Sequence, residues 1–166
     1  MSTKKSFKEP KASRPHMPGY GLPKETKGLL PWKWAEQRLT KSRQYWIATT
    51  RPDSSPHVML VWGLWLGNTF YFSTGGKTRK SRNLAVNPHC VVCSQNSEEA
   101  VIVEGTAEIA DATGTTEPIY IAYQKKYKID IRGMKEPIYR VRPCIAFGLF
   151  EKKFANTATR WRFAKS

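Results

Sequence analysis

Apolar and polar residues alternate along most of this chain, in short runs broken by glycine, proline and asparagine. Tyr45 to Thr50 (YWIATT) is aromatic and β-branched, Arg51-Pro52-Asp53-Ser54-Ser55-Pro56 interrupts it, and His57 to Leu66 (HVMLVWGLWL) resumes as strand. The pattern predicts a β-hairpin. Gly67-Asn68 turns the chain again into Thr69 to Ser73, so three strands follow one another as an antiparallel meander. His89 to Ser94 and Ala100 to Ile109 read as further strands, the second with Gly105 as its bulge and Asp111 to Gly114 as its end. Arg140 to Phe150 and Thr159 to Phe163 read as closing strands.

A helical period replaces the alternation in three places. Leu29 to Arg43 has Pro31 at a helix start and Trp32, Ala35 and Leu39 on one face. Ser81 to Val86 is a short helix stopped by Asn87-Pro88. Glu117 to Lys128 has Pro118 in its first turn, Ile119, Ala122 and Tyr123 on one side, and Lys125, Lys126 and Lys128 near the end, where cations suit the helix dipole. Six or seven short strands, about three short peripheral helices and no βαβ alternation predict a mainly β, α+β fold, a closed or half-open antiparallel barrel.

Composition narrows this picture. With 166 residues, 40% of them hydrophobic, the chain has room for one domain with a core. No apolar run is long enough to span a bilayer, and the start MSTKKSFKEPKASRP lacks the apolar middle of a signal peptide, so a cytoplasmic protein without a membrane partner is expected. The net charge of +15 points to an anionic partner. Part of it lies on Lys4, Lys5, Lys8, Lys11, Arg14, Lys24 and Lys27, among Pro10, Pro15, Pro18, Pro23 and Gly19. That mixture predicts a flexible basic arm over residues 1–28 with no regular element, ahead of a folded domain at 29–166. No nucleic-acid-binding motif follows the arm, so it reads as a solubilising segment and nucleic acid is not an expected partner. Cys90 and Cys93 form a CVVC pair with no second pair to complete a zinc site, so buried reduced thiols and no metal are expected.

Candidate chemistry concentrates in Phe70 to Pro88 (FYFSTGGKTRKSRNLAVNP). An apolar strand ends in the hydroxyls of Ser73 and Thr74, passes through Gly75-Gly76, and meets Lys77, Arg79, Lys80 and Arg82 at a helix start, where free N–H groups and the dipole favour an anion. The antiparallel setting and the missing GxxxxGK[ST] spacing exclude a P-loop. His57 reads as a satisfied structural histidine rather than a proton donor. Glu104 and Glu108 share one side of a strand and read as a surface or salt-bridge pair.

Taken together, YWIATTRPDSSPHVMLVWGLW, FYFSTGGKTRKSRNLAVNP, VIVEGTAEI, KKY and TRWRF resemble, in order and spacing, the pyridoxamine 5′-phosphate oxidase-like flavin or deazaflavin split-barrel family over roughly residues 29 to 163. The resemblance implies a homodimeric split barrel that holds FMN, or the deazaflavin coenzyme factor 420, in grooves at the dimer interface and acts as an oxidoreductase on a small molecule. It places Arg79 and Lys80 on the cofactor phosphate, with Ser73, Thr74, Arg82 and Asn83 assisting. It places Val58, Met59, Leu60 and Val61 beside the flavin ring, and Trp161 with Arg162 in the element that reaches the partner's site. The indoles of Trp62, Trp65 and Trp161 suit core or dimer-interface packing better than a catalytic role. Two positions depart from the family pattern. Asp53-Ser54-Ser55 stands where an Asp-Gly turn is usual, and Leu60 stands where many members carry proline. A basic protein that binds nucleic acid or another anion without turnover is the remaining alternative.

Overall fold

The computed structural model describes residues 9–110 and 116–164. The cations Lys4, Lys5 and Lys8 of the expected arm, and the strand end expected at Asp111 to Gly114, lie outside them. In chain order the elements are β1 (Lys11–Ser13), α1 (Trp32–Lys41), β2 (Gln44–Thr50), β3 (Pro56–Trp62), β4 (Leu64–Leu66), β5 (Thr69–Ser73), α2 (Arg79–Val86), β6 (His89–Ser94), β7 (Glu99–Ile109), α3 (Glu117–Tyr127), β8 (Ile138–Phe150), a 3-10 turn (Glu151–Lys153), α4 (Phe154–Thr157) and β9 (Thr159–Arg162). The strands form one antiparallel sheet in the order β1-β9-β8-β7-β6-β2-β3, and β5 joins it through β8 while pairing with β4. No ladder connects β3 to β5, so the sheet curls without closing and leaves a seam between them.

The expected three-strand meander is corrected at Gly63. His57 to Leu66 is two strands rather than one: β3 pairs with β2, whereas β4 pairs with β5. A Cβ at Gly63 would collide with the Phe70 ring and the Tyr71 carbonyl, so only glycine lets the chain turn this corner. Gly67 and Asn68 both take positive φ, at 57° and 59°, as a two-residue hairpin demands. The Asn68 carbonyl Oδ1 then accepts the indole N–H of Trp32 at 2.9 Å, which ties α1 to that hairpin.

The core lies inside the curl. Tyr45, Ile47, Phe70, Phe72, Val92, Val101, Val103, Val141 and Trp161 are all buried there. Trp32, Ala35 and Leu39 of α1, expected on one face, close one end of it. Ile119, Tyr123 and Tyr127 of α3 build a second, smaller apolar cluster with Leu64 and Ile131. A bulge does lie at Gly105, but on the facing strand: Glu104 faces Ile145 and Gly105 faces Pro143, so the extra residue is Cys144 of β8 and not Gly105 of β7. Among the described residues, no helix is long and apolar enough to cross a membrane.

The basic N-terminal stretch departs from expectation. Pro10 and Pro15 bracket four residues, of which Lys11–Ser13 add a strand to the edge of β9. Arg14 follows and donates to four backbone carbonyls, those of Lys27 and Asn156 at 2.7 Å and those of Glu25 and Ala158 at 3.2 Å. The expectation of no regular element in the arm is thus corrected for this stretch.

The outer face of the sheet is unusually apolar. Phe147, Ile102, Cys93, Trp46 and Leu60 form a single row across β8, β7, β6, β2 and β3, and none of them is buried. An antiparallel sheet with one solvated face normally carries polar residues at these positions.

Candidate functional site

The seam between β3 and β5 is flanked by the start of α2. Thr78 has extended backbone and its hydroxyl accepts the Ser81 amide, so it is the N-cap and Arg79 and Lys80 are the first two helical residues. Ser81 Oγ donates to the Gly75 carbonyl at 2.9 Å and lies 3.2 Å from the Tyr139 hydroxyl, which fixes the Gly75-Gly76 loop against the barrel. The first turn of α2 contains no acidic residue. Two cations therefore sit at the positive end of a helix dipole, an arrangement that the helix alone disfavours.

Two more positive or titratable groups come from across the seam. The β2–β3 register places His57 opposite Thr49, with His57 Nδ1 3.4 Å from Thr49 Oγ1. Thr49 is itself held from below by Asn83, whose Nδ2 donates to Thr49 Oγ1 at 3.0 Å. Arg51, in the turn between the strands, is braced by donating to the Pro56 carbonyl at 2.6 Å. Desolvation, then Arg51, Lys80 and Arg79 in turn, lower the pKa of His57 below its usual value of 6.5, so the ring is mostly neutral at pH 7. Desolvation likewise lowers the pKa of Lys80. Arg51, Arg79 and Lys80 thus form a cationic cluster around His57 that disfavours its protonation, an electrostatic condition that an arriving anion relieves.

Beside the cluster runs β3, which among the described residues is paired only on its β2 side. Val58, Leu60 and Trp62 point to the outer face and are 51%, 39% and 44% exposed. Met59 and Val61 point inward, opposite Ile47 and Tyr45, yet Met59 is 48% exposed because the seam stands open beside it. An apolar strand with a free edge next to a cationic cluster suits a ligand that is planar at one end and anionic at the other.

The residues expected from sequence fall into three groups. Arg79, Lys80, Thr74 and the β3 residues border the seam, Thr74 lying 3.3 Å from the Thr78 hydroxyl at the helix cap. Ser73 and Asn83 are committed elsewhere. The Ser73 hydroxyl donates to the Pro137 carbonyl, and Asn83 is fully buried under Thr49. Arg82 is exposed on α2, and Arg162 is exposed on β9 opposite Ile145 and Lys11. Trp161 is a correction: it is fully buried beside Trp32, and a Cβ on Gly148 would strike its ring, so it packs the core instead of reaching a ligand. Arg51 and Thr49 were not foreseen, since only the pairing of β2 with β3 brings them to the site.

Other candidates carry less. Cys90 is buried with its thiol pushed up to about 12 by desolvation and by Cys144, which removes it as a nucleophile at neutral pH. Glu108 accepts from both Arg140 at 2.6 Å and Arg142 at 2.5 Å, the salt-bridge role expected for it.

Comparison with known proteins agrees with this geometry. The conserved hypothetical protein Rv2991 of Mycobacterium tuberculosis superposes with a TM-score of 0.67 at 17% identity, over 78% of this chain and 90% of that one. A putative pyridoxamine 5′-phosphate oxidase of Listeria innocua gives 0.57 at 18%, over 71% and 94%. An F420 reductase gives 0.54 at 25%, over 67% and 94%. These likenesses establish the split-barrel fold. No curated protein matches the sequence. The sequence profile of the pyridoxamine 5′-phosphate oxidase family matches residues 32–151. The match takes in the seam, the cationic cluster and the long β7–β8 pair, and on that ground the chain belongs to the pyridoxamine 5′-phosphate oxidase family.

Proposed function

We propose that this chain is a cytoplasmic, homodimeric oxidoreductase that binds FMN in the seam between β3 and α2 and acts on a small molecule. The observation that supports this most is the cluster of Arg51, Arg79 and Lys80 around His57, which has no acidic partner in the first turn of α2. A phosphate there accepts from the Arg79 guanidinium through two donors and meets Lys80 as a point charge. Thr74 adds a hydroxyl, Arg82 adds charge from the next turn, and Asn83 acts from below by holding Thr49 against His57. The free edge of β3 offers backbone groups to a ring, and the inward side chains Met59 and Val61 keep water from one side of it. FMN bound there would supply the hydride or electron transfer. His57, neutral at pH 7, is placed to take up a proton as the phosphate arrives.

The dimer in this proposal uses the apolar outer face. Trp46, Leu60 and Trp62 lie on it, and covering them removes exposed apolar surface of the kind that marks interaction sites. Arg162, exposed on the same sheet, is the member of the terminal pair available to a partner's site.

A second reading keeps the site and exchanges the cofactor for the deazaflavin coenzyme factor 420; the 25% identical F420 reductase supports it. An absorption spectrum of the purified protein, before and after adding each coenzyme, distinguishes the two: FMN gives a two-band flavin spectrum and factor 420 a single band. Neither cofactor binding would sink the proposal.

A further inference from the structure

Gly63, the corner between β3 and β4, has no strand partner for its backbone groups, and side chains of α3 take their place. Its N–H donates to Tyr127 Oη at 2.9 Å. Its carbonyl accepts from Lys126 Nζ at 2.9 Å and lies 2.8 Å from Tyr127 Oη. A phenol carries one proton, and Tyr127 Oη also lies 2.6 Å from the Arg43 carbonyl. The consistent arrangement has the Lys126 ammonium on the Gly63 carbonyl, while the phenol accepts from the Gly63 N–H and donates to Arg43. Lys126 donates a further hydrogen bond to Tyr45 Oη at 2.9 Å, and the Trp62 indole stacks on the Tyr127 ring at 5.0 Å and 2°. The end of α3, the start of β2 and the corner are thereby locked together.

What this lock controls follows from the topology. Among the described residues β3 has a ladder on one side only, so no second described strand fixes its path along the seam. Its C-terminal end is fixed by β2 and by the Gly63 corner. Holding a half-buried lysine there costs desolvation, and its pKa falls to about 8 through that burial and the nearby Arg43. Tyr45, Tyr123 and Tyr127 are the other titratable groups in its vicinity, each with its pKa raised by burial.

We propose that Tyr127 and Lys126 are positioning residues for the ring of the bound cofactor: by pinning both backbone groups of Gly63 they set the path of β3 along the seam. This rests on the seam being the cofactor site. The phosphate cluster at α2 is held by separate contacts, through Thr78, Ser81 and Asn83, so the two halves of the ligand report on different supports.

That separation supplies the test, using Tyr127→Phe and Lys126→Met in the full chain. Tyr127→Phe keeps the stack with Trp62 and loses only the hydroxyl, so it guards against failure to fold. FMN and inorganic phosphate are titrated separately, and amide hydrogen exchange is followed by mass spectrometry. The expected result is about a tenfold rise in the FMN dissociation constant, equivalent to about 1.4 kcal/mol. Phosphate affinity should stay within about twofold, and peptides covering residues 59–66 should exchange faster while those of α2 do not. Unchanged FMN affinity in both variants, equal losses for FMN and phosphate, or unchanged exchange at 59–66 would each overturn the proposal. If the parent chain bound neither FMN nor factor 420, the cofactor assignment would fall and the ring-positioning role with it, while the exchange data would still decide whether the pair holds β3.

Discussion

Two regions of this molecule hold arginines in opposite electrostatic circumstances. On the outer surface, Arg132 meets Glu117 at 2.7 Å and Asp130 at 3.1 Å, and Arg140 and Arg142 share Glu108. At the seam, Arg51, Arg79 and Lys80 surround His57 without an acid in the first turn of α2, and the pKa values of His57 and Lys80 are lowered there. The first set is compensated within the chain and needs nothing more. The second is left positive by the fold itself, so the informative feature of a chain with net charge +15 is where compensation is withheld.

The strongest way to break that contrast is the double change Arg79→Ala with Lys80→Ala. Cofactor affinity should fall by more than about 100-fold, or about 2.7 kcal/mol, since charge-assisted hydrogen bonds to phosphate are lost. Thermal stability should hold or rise slightly, because two cations leave the positive end of α2. Unchanged affinity in a cofactor titration would show that the phosphate lies elsewhere.

Arg14→Ala tests a cation of the other kind, one satisfied by carbonyls. Urea denaturation should show a loss of about 1–3 kcal/mol, with cofactor affinity unaffected. A combined loss of both would erase the distinction between structural and ligand-binding cations.

Lys126 is an intermediate case, held by neutral oxygens. Between about pH 8 and its ordinary 10.5, the unfolded chain keeps a proton that the folded chain has released. Lys126 therefore contributes stability that rises with pH across that window, while Cys90, whose raised pKa acts in the opposite sense above pH 9.0, is common to parent and variant; the parent's stability minus that of Lys126→Met should rise when denaturation is compared from pH 7 to 10.5. A parent-minus-variant difference that falls through the same window would contradict the assignment.

The smallest effect concerns the turn that carries Arg51. Ser54 takes φ 66°, in the left-handed region, while Asp53 Oδ1 accepts from the Ser55 amide and hydroxyl. Ser54→Gly should raise stability by up to about 1 kcal/mol in a melting experiment and leave the site as it is. A change in cofactor affinity would mean that the turn's strain also places Arg51.

Much of this fold was legible from local pattern. The α1 face of Trp32, Ala35 and Leu39 and the strands on either side of Gly67-Asn68 depend on residues close in sequence. Arg79 and Lys80 were legible for the same reason, since a glycine pair and a helix start surround them. Arg51 was not, because it comes to α2 only through the β2–β3 register. Nor was the split at Gly63, where an unbroken apolar run conceals a corner whose necessity lies in Phe70 and Tyr71. Trp161 was placed at a ligand by its position in a motif, whereas the lack of a side chain on Gly148 makes room for it in the core. β1 was hidden because its composition argues against structure; the pairing depends on the free edge of β9, which no local pattern reports.

The Arg14 clasp bears on how this chain can vary. Its guanidinium recognises carbonyl oxygens of Glu25, Lys27, Asn156 and Ala158, groups that every amino acid supplies. Substitution at the exposed Glu25, Lys27 and Asn156 should be tolerated wherever the backbone path survives, whereas Ala158 is also held by its burial, and Arg14 itself has no substitute with the same fan of donors. Gly28, at φ 88° with the Asn156 carbonyl where a side chain would begin, is the second fixed point of the clasp. In a library of variants, Arg14 and Gly28, fourteen positions apart, should therefore be sharply intolerant, with Gly19 and Gly21, which also take positive φ, restricted by backbone conformation alone.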